Sequence, residues 1–225
     1  MAKLLVKNKD LVVPGEVLVE GMEYLPAGNV FRDKDKIIAN TIGLVSIDNR
    51  LIKLIPLTGF YTPKKDDVVI GKVENITFSS WFMDIGCSNL AMLSLKEATS
   101  EYIERGADLG KFYNFNDVVV ARVINVTKDG SIDLSMKGPG LMKLSNGRVV
   151  NVTPSKVPRV IGKQGSMISM IKEKTGCKMT VGQNGKIWIQ GPDPKNEKKA
   201  VDAIKLIEEY SATDGLTEKV EVLLK

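Results

Sequence analysis

The sequence predicts a multidomain protein in which two β-rich parts precede a mixed α+β part. Three observations support this prediction. Short β-branched runs separated by Gly, Pro, Asn and Asp dominate residues 1–146. The hydrophobic period becomes that of helices after residue 147. A proline followed by two charges, Pro63-Lys64-Lys65, separates the first two parts. The predicted domains are therefore residues 1–64, 65–146 and 147–225.

The composition is that of a folded soluble protein, with 225 residues of which 43% are hydrophobic and 26% are charged. No apolar run approaches the roughly 18 residues that a membrane-spanning helix needs. The N-terminal stretch MAKLLVKNKDLVV is too short and too interrupted by charge for a signal peptide. We therefore expect a cytoplasmic protein without a membrane partner.

The chemistry of the chain argues against an enzyme. It contains no histidine, and its two cysteines, Cys87 and Cys177, are far apart in sequence. Without histidine, Ser-His, Cys-His and metal-histidine chemistry are excluded within this chain, and two cysteines alone do not make a zinc site. We expect no catalytic residue, no metal and no cofactor.

The net charge of +5 is unevenly distributed. Residues 147–225 carry 14 Lys and Arg against 9 Asp and Glu, whereas residues 65–146 carry 9 against 11. A basic excess confined to one part favours a polyanionic partner for that part.

The first two parts are predicted to consist of strands. In residues 1–64, β-branched runs are broken by Gly43 and by an Asp48-Asn49 turn. Residues 65–146 contain five strand-like runs, the last two of which form a hairpin around Asp129-Gly130. The stretch 97–109 reads as a short helix or a loop insert between the third and fourth strands. Five strands with an insert at this place fit the five-stranded OB-fold barrel.

The third part is predicted to follow the order strand, helix, helix, strand, strand, helix. The first two helices flank the sequence Gly-Lys-Gln-Gly, residues 162–165, which we name the GKQG loop. The two later strands form a hairpin across Asn184-Gly185. In the last helix Asp193 takes the N-cap position, and one buried stripe is predicted, which consists of Ala200, Ala203, Ile204 and Ile207.

This order, with Gly-x-x-Gly between the first two helices, resembles the KH domain over residues 147–215. The stretch VIGKQGSMISMIKEKTGC carries the resemblance. In KH domains this loop clamps the backbone of about four nucleotides. The resemblance implies RNA contacts at the loop and at two residues before it, that is at Arg159, Ile161, Gly162, Lys163, Gln164 and Gly165.

Elementary chemistry agrees with that implication. Glycine lets backbone approach a sugar-phosphate closely, the N-terminus of the following helix favours an anion, and Lys163 adds a mobile positive charge. The alternative is a tight corner between two helices that binds no ligand.

Residues 65–138 resemble the S1-like OB fold, a second RNA-binding family. Members place aromatic residues on the second and third strands, where bases stack. Here Trp81 and Phe82 supply the second-strand aromatics, but the third strand has Ala91-Met92-Leu93 instead of the usual Gly-Phe pair. Since adjacent strand residues point to opposite faces, either Trp81 or Phe82 points into the barrel.

Three further side chains of the two RNA-binding families are candidates for contact with RNA. Lys72 and Arg122, on the first and fourth barrel strands, are positioned to neutralise phosphates. Trp188, in the hairpin of the third part, faces away from Ile187 and Ile189 and packs under the last helix or meets a base.

The three domains in this order resemble the RNA-binding cap subunit of the archaeal exosome over the whole chain. The resemblance implies a subunit without nuclease activity. It implies three copies on a hexameric ring of RNase PH-like subunits, which guide single-stranded RNA into the pore of the ring for 3'-to-5' degradation. The N-terminal domain would dock on the ring.

Three other identities were compared with this one. Polynucleotide phosphorylase carries KH and S1-like domains in the reverse order, after two catalytic domains for which this chain has no room. The other exosome cap type ends in a zinc ribbon, which needs four cysteines. A free-standing RNA-binding module of translation or transcription stays the alternative, although such a module has no need of the near-neutral N-terminal domain.

Overall fold

The computed structural model describes residues 3–99, 108–211 and 215–224. The chain divides into two compact units, Met1–Gly59 and Phe60–Lys225. The barrel and the KH-like part lie together in the second unit. The domain boundaries expected after residues 64 and 146 stay predictions.

The first unit consists of two four-stranded sheets. The first sheet has the order β1-β3-β6-β5, and the second has the order β2-β7-β8-β4. Alternate residues along β8, such as Ile52 and Leu54, are buried between the sheets, and their neighbours are exposed. The strands are β1 (Lys3–Leu4), β2 (Leu11–Val12), β3 (Val17–Glu20), β4 (Leu25–Pro26), β5 (Val30–Asp33), β6 (Lys36–Ala39), β7 (Gly43–Asp48) and β8 (Leu51–Pro56).

The second unit begins with the predicted five-stranded barrel. Its strands are β9 (Val68–Ile76), β10 (Ser80–Asp84), β11 (Ala91–Ser94), β12 (Val118–Val126) and β13 (Ile132–Ser135). They follow the order β13-β11-β10-β9-β12, and a further pairing of β12 with β13 closes the barrel. This closure confirms the OB-fold prediction.

Two short elements flank the insert that was predicted at residues 97–109. These are helix α1 (Leu95–Ala98) and a 3₁₀ turn at Leu109–Lys111. Residues 100–107, which make up most of the insert, lie outside the described residues. A two-residue strand, β14 (Lys143–Leu144), pairs with β12 after the barrel has closed.

The KH-like part has the predicted element order. It consists of β15 (Arg148–Asn151), α2 (Val157–Ile161), α3 (Ser166–Thr175), β16 (Lys178–Val181), β17 (Lys186–Gln190) and α4 (Pro194–Glu209). The sheet order is β15-β17-β16. One further helix, α5 (Leu216–Leu223), was not predicted, and its Leu216 and Val220 join the core of this part.

The helices cover one face of the three-stranded sheet. Ile187 and Ile189 of β17 point to this face and are fully buried. The predicted stripe of α4 packs on it, and the Asp193 carboxylate accepts a hydrogen bond from the Asn196 amide at 2.8 Å, as an N-cap residue does. The barrel packs against the opposite face of the sheet. None of the described helices is long and apolar enough to cross a membrane.

Candidate nucleic-acid interface

The GKQG loop makes a sharp, well-defined turn between α2 and α3. Gly162 has a φ of +76°, and a Cβ atom there would lie 2.6 Å from the amide nitrogen of Met167. Gly165 has a φ of +80°, and a Cβ atom there would meet nothing within 4 Å. Glycine is therefore needed at residue 162 for close packing and for its φ, and at residue 165 for its φ alone.

The loop presents cationic and polar groups to solvent. Lys163, Gln164 and Arg159 are exposed, whereas Ile161 is half-buried against the hydrophobic core. Among the described residues neither Arg159 nor Lys163 takes part in an ion pair. Their charges are thus available to an anion.

Helix α3 begins immediately after the loop, and no side chain of the described residues caps its N-terminus. Its N-cap residue is Gly165, which has no side chain to accept from the first amides, and its first turn carries no acidic residue. The positive end of the helix dipole therefore faces the same solvent as Lys163. The arrangement suits a phosphate.

In the barrel, Trp81 belongs to the core and not to the surface. Its side chain is 0% exposed, and its Nε1 donates to the carbonyl oxygen of Tyr113 at 2.9 Å. The two rings meet edge to face with centroids 5.3 Å apart. A base cannot reach Trp81 in this structure, so Trp81 is removed from the set of candidate RNA contacts.

Phe82 is the outward-facing member of the pair. It is half-buried and lies opposite Met92 on β11 and Asn75 on β9. The turn between β9 and β10 adds Phe78, which is 89% exposed and which sequence reasoning missed. Its position at a turn tip, outside any strand alternation, is the signal that could have identified it.

The two candidate barrel cations differ in exposure. Lys72 on β9 is exposed. Arg122 on β12 is half-buried, and its Nε atom is buried without a hydrogen-bond partner among the residues that the structure describes. Lys72 is free to meet a phosphate, whereas Arg122 is only partly accessible to one.

The hairpin turn of the KH-like part is hydrogen-bonded to the barrel. Asn184 is 5% exposed, accepts from the Ile70 amide at 3.1 Å, and donates to the carbonyl oxygens of Ile70 (2.8 Å) and Ile85 (2.7 Å). Next to it, the backbone amide of Gln183 donates to the carbonyl oxygen of Val68, and the side-chain Oε1 of Gln183 accepts from the Val68 amide. The turn thus continues the hydrogen bonding of β9.

Trp188 packs neither under the last helix nor on an open surface. It is 8% exposed and forms a small core with Ile70, Val120 and Leu144 of the barrel side. Because it alternates with Ile187 and Ile189, it points from the sheet face opposite to the helices. The barrel therefore covers Trp188 and removes it from contact with bases.

An ion pair closes the same junction. Lys186 Nζ lies 2.7 Å from Asp84 Oδ2 and 3.0 Å from the Asp84 carbonyl oxygen. Burial raises the pKa of Asp84, but the hydrogen bond from Lys186, the Gly86 amide and the nearby Lys72 charge together outweigh it, and the net effect lowers the pKa. The Asp84 carboxylate is therefore ionised at neutral pH.

The described residues contain no group of three or more His, Cys, Asp or Glu side chains that could hold a metal ion. The features that do stand out are the GKQG loop and the outward face of the barrel. Both are suited to contact with an extended polyanion.

Comparison with known proteins agrees with this picture. The KH domain family model matches residues 147–206. The exosome complex component Rrp4 of Methanobrevibacter smithii is 44% identical over 216 residues, which cover 96% of this chain and 71% of that protein. Rrp4 of Pyrococcus horikoshii is 43% identical over 227 residues, covering 100% of this chain and 85% of that protein.

A solved structure points the same way. A crystal structure provisionally assigned as an exosome complex RNA-binding protein superposes with a TM-score of 0.68 at 35% identity, over 74% of this chain and 95% of that chain. The sequence identity over nearly full length, together with the fold, shows that the chain belongs to the Rrp4 family of exosome complex components.

Proposed function

We propose that this chain is a non-catalytic RNA-binding subunit that caps the ring of RNase PH-like subunits of an archaeal exosome. Three copies guide single-stranded RNA into the pore of the ring for 3'-to-5' degradation. The observation that carries the proposal is the exposed GKQG loop, with unpaired Lys163 at the open N-terminus of α3, in a chain of the Rrp4 family.

The RNA-binding role is supported by two surfaces within one compact unit. The GKQG loop offers backbone amides and a cation to phosphates. The barrel offers Phe82 and Phe78 to bases and Lys72 to a phosphate. Phosphate contact at one place and base stacking at another is the combination by which proteins bind single strands without strict sequence preference.

The first unit offers an apolar surface for docking on the ring. On the outer face of its second sheet, Leu11 pairs with Leu44, which pairs with Ile55. Leu11 is 59% exposed and Ile55 is 52% exposed, and Leu25 on the edge strand is 58% exposed. A row of exposed apolar side chains on one sheet face is typical of a protein interaction site.

The lack of catalysis is supported by the absence of histidine from the whole sequence. A phosphorolytic or hydrolytic role would have to rely on other general bases. We expect the purified chain not to shorten labelled single-stranded RNA in the presence of Mg²⁺ and phosphate. Processive shortening that copurifies with the chain would contradict this part of the proposal.

The experiment that separates a ring subunit from a free-standing module is size-exclusion chromatography with light scattering. The chain is run alone and mixed with the purified hexameric ring of an archaeal exosome. We expect a stable complex whose mass corresponds to three chains per ring. A chain that binds RNA but elutes separately from the ring would favour the free-standing module.

A further inference from the structure

A pocket of about 260 Å³ lies where the KH-like sheet meets the barrel. We name it the junction pocket. Strands β9 and β12 form its barrel side, and β15 and β17 form its KH side. It lies on the sheet face opposite to α2 and α3, so it is separate from the GKQG loop at the helix side.

The walls of the junction pocket combine apolar and polar groups. Val118 is half-buried and Val149, on the edge strand β15, is 37% exposed, and these two side chains supply the apolar surface. Ile70 lies behind them and is fully buried. Lys72 and Asn151 are exposed at the opening.

The strand register brings these polar groups together. In the barrel, Lys72 of β9 lies opposite Val118 of β12 and opposite Asp84 of β10. In the KH-like sheet, Asn151 of β15 lies opposite Lys186 of β17. The ion pair between Lys186 and Asp84 joins the two sets of residues.

The polar groups of the pocket are not equally available. Lys186 is engaged with Asp84 at 2.7 Å. Among the described residues, Lys72 has neither an ion pair nor a side-chain hydrogen bond. The Asp84 carboxylate also lines the pocket; it is paired with Lys186, and the Lys72 charge is near enough to lower its pKa. The pocket therefore offers a ligand the ammonium group of Lys72, which is in no ion pair within the part of the chain that the structure describes, and the amide of Asn151, which carries both donors and an acceptor.

This set of groups matches one nucleotide. The volume lies just below the roughly 300–1,000 Å³ of pockets for drug-sized ligands, so a base with its sugar is a better fit than a longer segment. A flat base gains apolar contact between Val118 and Val149, the Asn151 amide can pair with the base edge, and Lys72 can meet the phosphate.

We propose that the junction pocket holds one unstacked nucleotide of single-stranded RNA. The proposal rests on the proposed RNA-binding function and deepens it, since it adds a nucleotide site between the two RNA-binding domains. RNA that passes from the GKQG loop to the barrel would then also be held between these two surfaces by groups from both domains, with Lys72 shared between the pocket and the barrel surface.

The first test is an NMR titration of the ¹⁵N-labelled full chain with AMP, CMP, GMP and UMP, and with ribose 5-phosphate as the control lacking a base. Gly71 of β9 lines the pocket, as Asn151 does. We expect saturable shifts of the Gly71 backbone amide and the Asn151 side-chain amide with at least one nucleotide, and much smaller shifts with the control. Equal shifts with ribose 5-phosphate would overturn the proposal, because the site would then be an anion site without base recognition. Silent Gly71 and Asn151 signals would overturn it as well.

The second test fills the pocket. Val149→Trp places an indole in the space of the base, and Val222→Trp, at a valine on α5 that is 69% exposed, adds the same side chain elsewhere. We expect Val149→Trp to bind an RNA of about twelve nucleotides roughly tenfold more weakly, because the indole excludes the nucleotide from the pocket; this corresponds to about 1.4 kcal/mol. The control variant should bind like the unmodified chain.

The results of these tests separate a failure of the pocket proposal from a failure of the proposed RNA-binding function. Unchanged affinity of folded Val149→Trp, in a chain that binds RNA well, would overturn the pocket and leave the proposed function standing. If the unmodified chain bound no RNA at all, the proposed function would fail, and RNA would fail as the ligand of the pocket with it. Should Val149→Trp not fold, the titration of the unmodified chain still decides.

Discussion

The side chain of Asn184 satisfies both backbone groups of Ile70: its Oδ1 accepts from the Ile70 amide at 3.1 Å, and its Nδ2 donates to the Ile70 carbonyl oxygen at 2.8 Å. A neighbouring β-strand would make the same two hydrogen bonds. The two residues are 114 positions apart in the sequence. One buried amide thus connects the hairpin of the KH domain to the first strand of the barrel. The contact joins the barrel and the KH-like part within one compact unit.

Replacement of Asn184 by alanine should destabilise the chain. It leaves three buried backbone groups of Ile70 and Ile85 without partners, at about 1–3 kcal/mol for each group that water does not reach. We expect the free energy of unfolding of this unit to fall by about 3 kcal/mol, measured by urea denaturation. Asn89→Ala is the matched control, since Asn89 is exposed and its side-chain amide donates to the Gly130 carbonyl oxygen at 2.9 Å. Equal losses in both variants would contradict the role of Asn184.

The Lys186–Asp84 ion pair should make stability depend on pH. Because the folded-state pKa of Asp84 is lowered, the pair contributes above the ordinary aspartate pKa of about 3.9 and its contribution is lost as pH falls through the folded-state value. Asp84→Asn should therefore lower the melting temperature at pH 7, and the difference from the unmodified chain should shrink below about pH 4. Thermal melts from pH 7 down to pH 3 measure this. A constant difference over that range would show that the carboxylate charge does not matter.

Element order was predictable because it depends on local patterns. The change from a two-residue to a helical period, the Asp129-Gly130 turn and the Asp193 cap all act within a few residues. The five barrel strands and the KH element order followed from such signals and are confirmed. Helix α5 did not follow from the sequence, because it is only eight residues long and its N-cap residue, Gly215, has no side chain to mark the start of a helix.

The sequence did not predict which residues pack against each face of a strand. Alternation showed that Trp188 opposes Ile187 and Ile189, but the barrel residues that cover Trp188 are distant in sequence. Asn184 was interpreted only as a turn residue, since Asn-Gly is a strong hairpin signal. The same limit applies to Trp81 and Phe82, because alternation requires one of them to be buried and does not say which.

The two aromatic residues of β10 should have opposite mutant phenotypes. Trp81→Ala removes a fully buried side chain from the barrel core and should cost about 3–5 kcal/mol of unfolding free energy. Phe82→Ala should cost far less stability and should weaken RNA binding by about 1–3 kcal/mol, the value of one stacked base. Urea denaturation and fluorescence anisotropy measure the two effects. Unchanged RNA affinity of Phe82→Ala would remove the outward face of β10 from the RNA-binding surface.

Two aspartates in the GKQG loop should weaken RNA binding without disturbing the fold. Lys163 and Gln164 are exposed, and the variant keeps Gly162 and Gly165, whose positive φ values the turn requires. Losing one phosphate contact should lower the slope of log affinity against log salt by about 0.7 for a single strand. Repulsion between the new carboxylates and a phosphate should weaken binding further, by about 1–3 kcal/mol in total. The loss should be similar for different RNA sequences, because phosphate contacts position the RNA and do not specify it.

The matched control for this variant carries the same change of charge on α5, with Thr217 and Lys219 both replaced by aspartate. These two residues are also exposed, so a general effect of charge on RNA binding would appear in both variants. Fluorescence anisotropy at several salt concentrations measures affinity and slope, and circular dichroism verifies the fold. Since the loop variant alone brings a negative charge to the N-terminus of α3, we expect only that variant to lose affinity steeply. If the folded loop variant kept both its affinity and its slope, the loop would be only a corner between two helices, and the barrel would bind the RNA alone.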